Sequence, residues 1–164
     1  MKRFELAVFD LDGTLIDNRF AIRKNFNYAR GLHGHEPLPD HKIDSMIGSS
    51  LLKMFEKTLR KPDKYLAPAM ENEYRKRYRT TSHEGVVILD SVISTLEYLV
   101  KEGFKLAVAT SKADAEAHVL LQKIDLYKYF DFVTGFRDGI RTKPDPDMIQ
   151  YIMKELDTIY NERT

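Results

Sequence analysis

The sequence contains no cysteine, no long apolar run and no excess of charge of one sign. The missing cysteine excludes disulfide bonds, thiolate catalysis and cysteine-bound zinc, and it is typical of intracellular chains. No segment approaches the roughly 20 consecutive apolar residues that a membrane helix requires. Because 26 basic residues balance 25 acidic ones, bulk charge does not favour nucleic acid or a membrane surface as a partner. We therefore expect a cytoplasmic protein in which any anion binding is local.

The 164 residues suffice for one compact domain that carries a small inserted module. Short apolar segments typical of buried strands alternate with amphipathic segments typical of helices. The predicted strands are 4–10, 104–110 and 130–134, and the predicted helices are 90–102, 113–123 and 147–156. This alternation predicts an α/β fold with a Rossmann-like parallel sheet and right-handed crossovers.

A different pattern occupies the stretch between the first and second predicted strands. It is rich in Lys and Arg, has helical spacing and is broken by Gly and Pro, which indicates a helical module. Its predicted helices are 19–32, 40–47, 50–60 and 64–79, with Asn18 as a candidate cap of the first. The predicted core therefore comprises 1–16 and 84–164, and the helical insertion comprises 17–83.

Polar side chains follow each predicted strand. Asp10 and Asp12 come at the end of the first strand, Thr110 and Ser111 at the end of the second, and Lys143 lies in the loop after the third. In open parallel sheets, ligands bind outside the carboxyl ends of the strands. The sequence thus predicts a site in which two carboxylates, two hydroxyls and one ammonium group meet.

These residue types suit the transfer of a phosphoryl group. A carboxylate such as Asp10 can attack phosphorus and form an aspartyl-phosphate, while a second one, Asp12, can act as general acid and base. The negative charge calls for a hard cation with oxygen ligands, and Mg²⁺ held at Asp10 and Asp12 is the natural choice. Lys143 would offset the remaining charge and bind the phosphate, and Thr110 and Ser111 would bind phosphoryl oxygens.

Each of these residues also has a purely structural interpretation. An Asp at a strand end is commonly a turn residue, and a lysine in a polar loop is commonly solvated. Thr110 and Ser111 are candidate caps of the next helix. In the helical module, Gly48, Ser49 and Ser50 form either a substrate-contacting loop or simply a helix break and cap.

Three motifs in order resemble those of the haloacid dehalogenase superfamily. They are FDLDGTL at 9–15, VATSK at 108–112 and KPDPD at 143–147, and the resemblance covers the whole chain. The insertion is similar to the helical cap of the phosphoglycolate phosphatase and β-phosphoglucomutase kind. By this resemblance Asp10 is nucleophile and metal ligand, and Asp12 supplies acid-base catalysis and a backbone carbonyl to the metal. Thr110 then binds the phosphoryl group, which Lys143 bridges to Asp10.

The resemblance implies a Mg²⁺-dependent phosphatase that acts on a small phosphorylated metabolite. The acid at position 12 favours phosphate esters over haloacids, and the Gly48-Ser49-Ser50 loop is expected to face the substrate. Two alternatives remain open. A phosphomutase of the β-phosphoglucomutase type would use the same residues, whereas a catalytically incomplete domain would only bind phosphate or a partner protein.

One departure from the family pattern concerns its fourth motif, a Gly-Asp pair that follows a further strand and completes the metal site. No counterpart precedes Thr164, the last residue. We therefore expect an incomplete core, weak Mg²⁺ binding and impaired turnover. The first strand would then be an exposed apolar edge, which predicts self-association.

Overall fold

The computed structural model describes residues 5–61, 63–141 and 143–157. Phe4, predicted as the first residue of a strand, and the C-terminal stretch 158–164, on which the expectation of a missing motif depends, lie outside the described residues. The chain forms two compact units. One combines Met1–Ile16 with Ile88–Thr164, and the other is Asp17–Val87.

Strands and helices alternate in the first unit, and the second unit is helical. In chain order the elements are β1 (Leu6–Phe9), β2 (Ile16–Asp17), α1 (Arg19–Leu32), α2 (Asp40–Asp44), α3 (Leu51–Glu56), α4 (Leu66–Thr81), β3 (Val87–Ile88), α5 (Val92–Lys101), β4 (Lys105–Ala113), α6 (Asp114–Lys123), a 3₁₀ turn (Tyr127–Tyr129), β5 (Phe132–Phe136) and α7 (Asp147–Glu155). None of the helices in the described part of the chain is both long and apolar enough to cross a bilayer.

The first unit is built on a parallel sheet with the strand order β1-β4-β5. Its central strand is buried from Leu106 to Ala109, because both of its neighbours and the packed helices shield it from water. Met148 and Ile152 of α7 belong to the core cluster on one face of this strand. The predicted α/β fold with a parallel sheet is therefore confirmed.

The second unit has its own hydrophobic core. Phe26 of α1 stacks on Phe55 of α3 with ring centroids 4.2 Å apart, and both side chains are fully buried. Tyr74 and Tyr78 of α4 complete the aromatic group, with their rings stacked at 5.1 Å. The four helices predicted in this stretch are present, and α2 and α3 are each shorter than predicted.

The start of α1 differs from the prediction. Asn18 occupies the cap position but makes no capping bond through its side chain; its amide instead donates to the Tyr78 hydroxyl at 3.1 Å. The backbone N–H of Arg19 is bound by Asp17 at 3.0 Å. Hydrogen bonds from the Arg19 side chain are the main reason that the pKa of Asp17 falls to about 2. The Asn18 side chain thus donates to a buried tyrosine hydroxyl and does not cap the helix.

Two further features were not predicted. The segments β2 and β3, of two residues each, pair as a small sheet where the chain passes between the two units. The second predicted strand was expected to end at Thr110, but β4 continues to Ala113. Two-residue strands carry no periodicity that a sequence could reveal.

The carboxyl end of β4 contains a bulge. Ala109 pairs with Thr134 and Ala113 with Phe136, so three residues of β4 lie opposite the single residue Gly135. A Cβ atom at Gly135 would lie 2.4 Å from the carbonyl oxygen of Lys112. Only glycine therefore allows the bulged backbone to approach β5 so closely.

We predict that Gly135→Ala destabilises the protein by about 1–3 kcal/mol or more, because rigid backbone must move to admit a methyl group. The matched control is Gly31→Ala in α1, where a Cβ would meet nothing within 4 Å. There we expect a gain of up to about 1 kcal/mol, since alanine is the better helix former. Urea unfolding of both variants measures the difference, and equal stability of the two would contradict the close approach.

Candidate active site

Asp10 and Lys143 come together at the carboxyl edge of the sheet. Asp10 directly follows β1, and its Oδ1 accepts from the backbone N–H of Leu11 at 2.8 Å. The Lys143 ammonium lies 2.8 Å from the same oxygen and also donates to the carbonyl of Ala109 in β4 at 3.3 Å. Both side chains are partly exposed, so the pair remains accessible to a ligand. Residues 133 positions apart in the sequence thus form one charged pair.

Asp12 lies on the turn that follows β1. Gly13 has a φ of +82°, and its N–H donates to the carbonyl of Ile16 at 2.8 Å, which closes the turn. The Oδ2 atom of Asp12 lies 3.1 Å from the ammonium of Lys112. Its Oδ1 is buried and has no hydrogen-bond partner among the described residues. A buried carboxylate oxygen of this kind is available to a ligand, a cation or a proton.

Thr110 and Ser111 lie within β4 rather than after it, at the bulge. Thr110 is 1% exposed, and its Oγ1 accepts from the backbone N–H of Lys112 at 3.2 Å. Ser111 is half-buried. Neither residue caps α6, because Ala113 occupies the cap position and makes no side-chain hydrogen bond there. The alternative interpretation as helix caps is therefore wrong.

The loop that carries Lys143 is organised by Arg141. Its guanidinium binds Asp145 and Asp147, each at 2.7 Å. The side-chain hydrogen bonds from Arg141 are the main reason that the pKa of Asp147 falls from 3.8 to about 2. Because this pKa is lowered on folding, the contribution of these bonds to stability is present above the usual pKa and is lost as the pH falls through about 2. The loop is therefore held together throughout the neutral range.

In the helical unit, the Gly48-Ser49-Ser50 segment performs structural tasks. Gly48 has a φ of +100°, and Ser50 caps α3 by accepting from the N–H of Lys53 at 3.4 Å. The Ser49 hydroxyl accepts from the Lys57 ammonium at 3.4 Å. The structural interpretation is thus present, and contact with a substrate stays a prediction.

A divalent cation would find few protein ligands in the described part of the chain. No group of three or more acidic or histidine side chains converges there. The partly exposed carboxylate of Asp10 and the backbone carbonyl of Asp12 are nevertheless oxygen ligands of the type that Mg²⁺ prefers. Mg²⁺ usually keeps several waters and needs only one or two carboxylates together with substrate phosphate. The donor set therefore fits this ion.

Two site residues were missed by sequence reasoning. Lys112 was noted as part of the second motif without a role, and Arg141 was not considered. Alternation along a strand places positions 110 and 112 on one face, and this signal could have brought Lys112 to attention. No comparable signal exists for Arg141, since its contacts depend on how a loop folds.

Comparison with known proteins shows the family of this chain. Residues 7–163 match the haloacid dehalogenase-like hydrolase family. A 5'-nucleotidase of Pseudomonas aeruginosa is 31% identical over 152 residues, which cover 92% of this chain and 68% of the relative. A phosphoglycolate phosphatase of Rhodobacter capsulatus is 32% identical over 146 residues, which cover 87% and 66%. A crystal structure of a predicted phosphatase from Clostridium acetobutylicum superposes with a TM-score of 0.82 at 27% identity, covering 94% of this chain and 71% of that one.

The fold and the site together define a class of protein. Its members have a parallel α/β unit with acidic, hydroxyl and lysine side chains at the carboxyl edge of the sheet. The chain belongs to the haloacid dehalogenase-like hydrolase family. These matches confirm the predicted family and the predicted enzyme class, a phosphatase. The roles of individual residues stay predictions.

Proposed function

We propose that this protein is a Mg²⁺-dependent phosphatase that hydrolyses a small phosphorylated metabolite through an aspartyl-phosphate on Asp10. The observation that carries the proposal is the 2.8 Å pairing of Asp10 with Lys143, at the edge of the sheet where Thr110 also lies. A nucleophilic carboxylate beside a fixed cation is the arrangement that phosphoryl transfer requires, because the transferred group is itself strongly negative.

In this proposal, Lys143 and Thr110 bind the oxygens of the phosphoryl group. The Thr110 hydroxyl already accepts a hydrogen bond from the N–H of Lys112, so its own proton is free to be donated. Lys143 interacts with the nucleophile and the phosphoryl group together, which lowers the repulsion between them. Both residues are held by the sheet or by its edge loop, so little reorganisation is needed during the reaction.

The reaction proceeds in two steps. A carboxylate oxygen of Asp10 forms a bond to phosphorus while the bond to the leaving oxygen breaks, and Asp12 gives that oxygen its proton. Water then attacks the phosphorus of the aspartyl-phosphate. Asp12 takes a proton from this water, and phosphate and the Asp10 carboxylate are released. The enzyme thus returns to its starting protonation state.

Asp10 and the backbone carbonyl of Asp12 are the proposed Mg²⁺ ligands. When bound, the ion offsets the charge that the carboxylates and the phosphoryl oxygens accumulate. In this proposal the helical unit selects the substrate, with the Gly48-Ser49-Ser50 segment in contact with it. A cytoplasmic location and self-association through β1 also stay predictions.

We predict that release of phosphate from p-nitrophenyl phosphate falls to background with excess EDTA and returns with Mg²⁺ but not with Ca²⁺. The smaller ion imposes tight octahedral geometry on its oxygen ligands, whereas Ca²⁺ does not. Colorimetric assay of inorganic phosphate measures the effect.

Each contrary outcome of this assay is informative. An unchanged rate in excess chelator would contradict the metal requirement. Turnover that depends on an added sugar bisphosphate would indicate a phosphomutase, the alternative with the same residues. Binding of inorganic phosphate with no turnover under any condition would favour a binding domain.

A further inference from the structure

Lys112 is a buried lysine at the edge of the site, and the proposed mechanism gives its side chain no task. Its side chain is 6% exposed, and its ammonium lies 3.1 Å from the Oδ2 of Asp12. Lysine is almost never buried to this degree unless it is paired, because removing an ammonium group from water is costly. An ion pair buried beside a reacting group therefore calls for an explanation.

The backbone around Lys112 is held from two sides. Its N–H donates to the Thr110 hydroxyl at 3.2 Å, and its carbonyl lies against Gly135, where no Cβ atom fits. These contacts belong to the bulge that separates the paired residues Ala109 and Ala113. Bulges commonly re-aim a side chain next to an active site. Here the bulge presents the Lys112 ammonium to Asp12.

The two oxygens of Asp12 are in different surroundings. Oδ2 is bound by Lys112, whereas Oδ1 is buried with no hydrogen-bond partner among the described residues. A carboxyl group that transfers a proton needs one oxygen free to carry it, and rotation of the group would place that oxygen wrongly. The contact between the Lys112 ammonium and Oδ2 prevents this rotation, so that Oδ1 keeps a single orientation.

We propose that Lys112 is a positioning residue that holds Asp12 through Oδ2, so that Oδ1 is the oxygen that exchanges the proton. The proton leaves Asp12 Oδ1 for the leaving oxygen as the phosphorus–oxygen bond breaks, and Oδ1 later receives a proton from the attacking water. The inference depends on the proposed function, since Asp12 must be the general acid. It extends that function by naming the atom that acts and the residue that directs it.

The test compares two substrates that differ in their need for a proton. The alcohol leaving group of β-glycerol phosphate requires protonation, whereas the p-nitrophenolate of p-nitrophenyl phosphate departs with little help. The parameter measured is kcat/KM, because it reports the steps up to formation of the phosphoenzyme and is independent of its later hydrolysis.

We expect Lys112→Met to lower kcat/KM for β-glycerol phosphate about 10²-fold and that for p-nitrophenyl phosphate less than about tenfold, in line with the usual size of general acid catalysis. Asp12→Asn should likewise lower kcat/KM more for β-glycerol phosphate than for p-nitrophenyl phosphate. The double variant Asp12→Asn with Lys112→Met should lose little further kcat/KM, because the two residues act as a unit. Lys112→Arg keeps a cation at this position. The ratio of its kcat/KM values for the two substrates should therefore stay close to that of the wild type.

The matched control is Lys105→Met, which removes a lysine from the other end of the same strand. It should leave both kcat/KM values within about twofold of wild type, because substitutions of exposed residues outside the active site usually have small effects. Thermal unfolding of each variant reports whether the fold is intact. If Lys112→Met does not fold, the same comparison of kcat/KM on the two substrates is made with Lys112→Gln.

Equal losses on both substrates in a folded Lys112 variant, or no loss on either, would overturn the positioning role. Full additivity of Lys112→Met with Asp12→Asn would also overturn it. If these results occur while Asp10→Asn abolishes turnover, the proposed phosphatase mechanism survives and only this inference is lost. A wild-type protein that releases no phosphate from either ester would overturn both.

Discussion

Asp10→Asn is expected to lower the rate of phosphate release by about 10³-fold or more, the scale of loss for an essential nucleophile. The amide is a poor nucleophile and a weaker ligand for Mg²⁺. It also removes the negative charge that pairs with Lys143 at 2.8 Å. The measurement is steady-state release of inorganic phosphate from p-nitrophenyl phosphate in the presence of Mg²⁺.

A second measurement separates nucleophilic attack from a role in binding alone. Wild-type protein quenched with acid during turnover should carry one phosphoryl group on the peptide that contains Asp10, and the variant should carry none. The control is Asp138→Asn, an exposed acid in the loop after β5, which should leave the rate within about twofold of wild type. Retention of more than about a tenth of the wild-type rate by Asp10→Asn would remove Asp10 as nucleophile, given the losses expected for such a group.

The second large effect is expected for Lys143→Met. Its ammonium joins the Asp10 carboxylate to the carbonyl of Ala109, so it fixes the nucleophile relative to the central strand. It would also stabilise the charge on the transferred group. Loss of one such preorganised donor typically costs about 10²–10³-fold, and we expect kcat/KM to fall by that amount.

Lys128→Met provides the matched control for this change. Lys128 also forms an ion pair, with Asp125 at 2.5 Å, but the pair is exposed. Exposed ion pairs contribute little to stability, and this one lies outside the proposed site. The kcat/KM of Lys128→Met should therefore equal that of the wild type. A Lys143→Met protein that keeps more than about a third of the wild-type kcat/KM, far above the loss typical of a missing donor, would show that the ion pair is only structural.

Several parts of the fold could be predicted because each depends on local sequence. Helix α1 was predicted at its observed bounds, since its apolar residues recur at helical spacing over four turns. The strands β1, β4 and β5 were found because short apolar runs bounded by turn residues are distinctive. Their carboxyl ends share one edge in any parallel sheet, and this alone brings Asp10, Thr110 and the Lys143 loop to one side.

Other features depended on residues far apart in the sequence. Asn18 was predicted to cap α1, but its side chain makes no capping bond and donates to the hydroxyl of Tyr78, which lies 60 residues later. The strand β4 was predicted to stop at Thr110, and the fit of its backbone against Gly135 extended it to Ala113 as a bulge. Local propensity cannot anticipate either result, because the competing partner is supplied by another element.

By itself, the sequence determined the alternation of strands and helices, the family of the protein and the kinds of side chain at the edge of the sheet. These follow from hydrophobic periodicity and from motif spacing, which are properties of neighbouring residues. The sequence also led us to expect Lys143 beside Asp10, whereas only the tertiary structure decided that Lys112 pairs with Asp12 and how far apart the atoms of both pairs lie. The reason is physical, since an ion pair depends on separations of a few ångströms, and these are set by sheet register, a bulge and a loop that pack together.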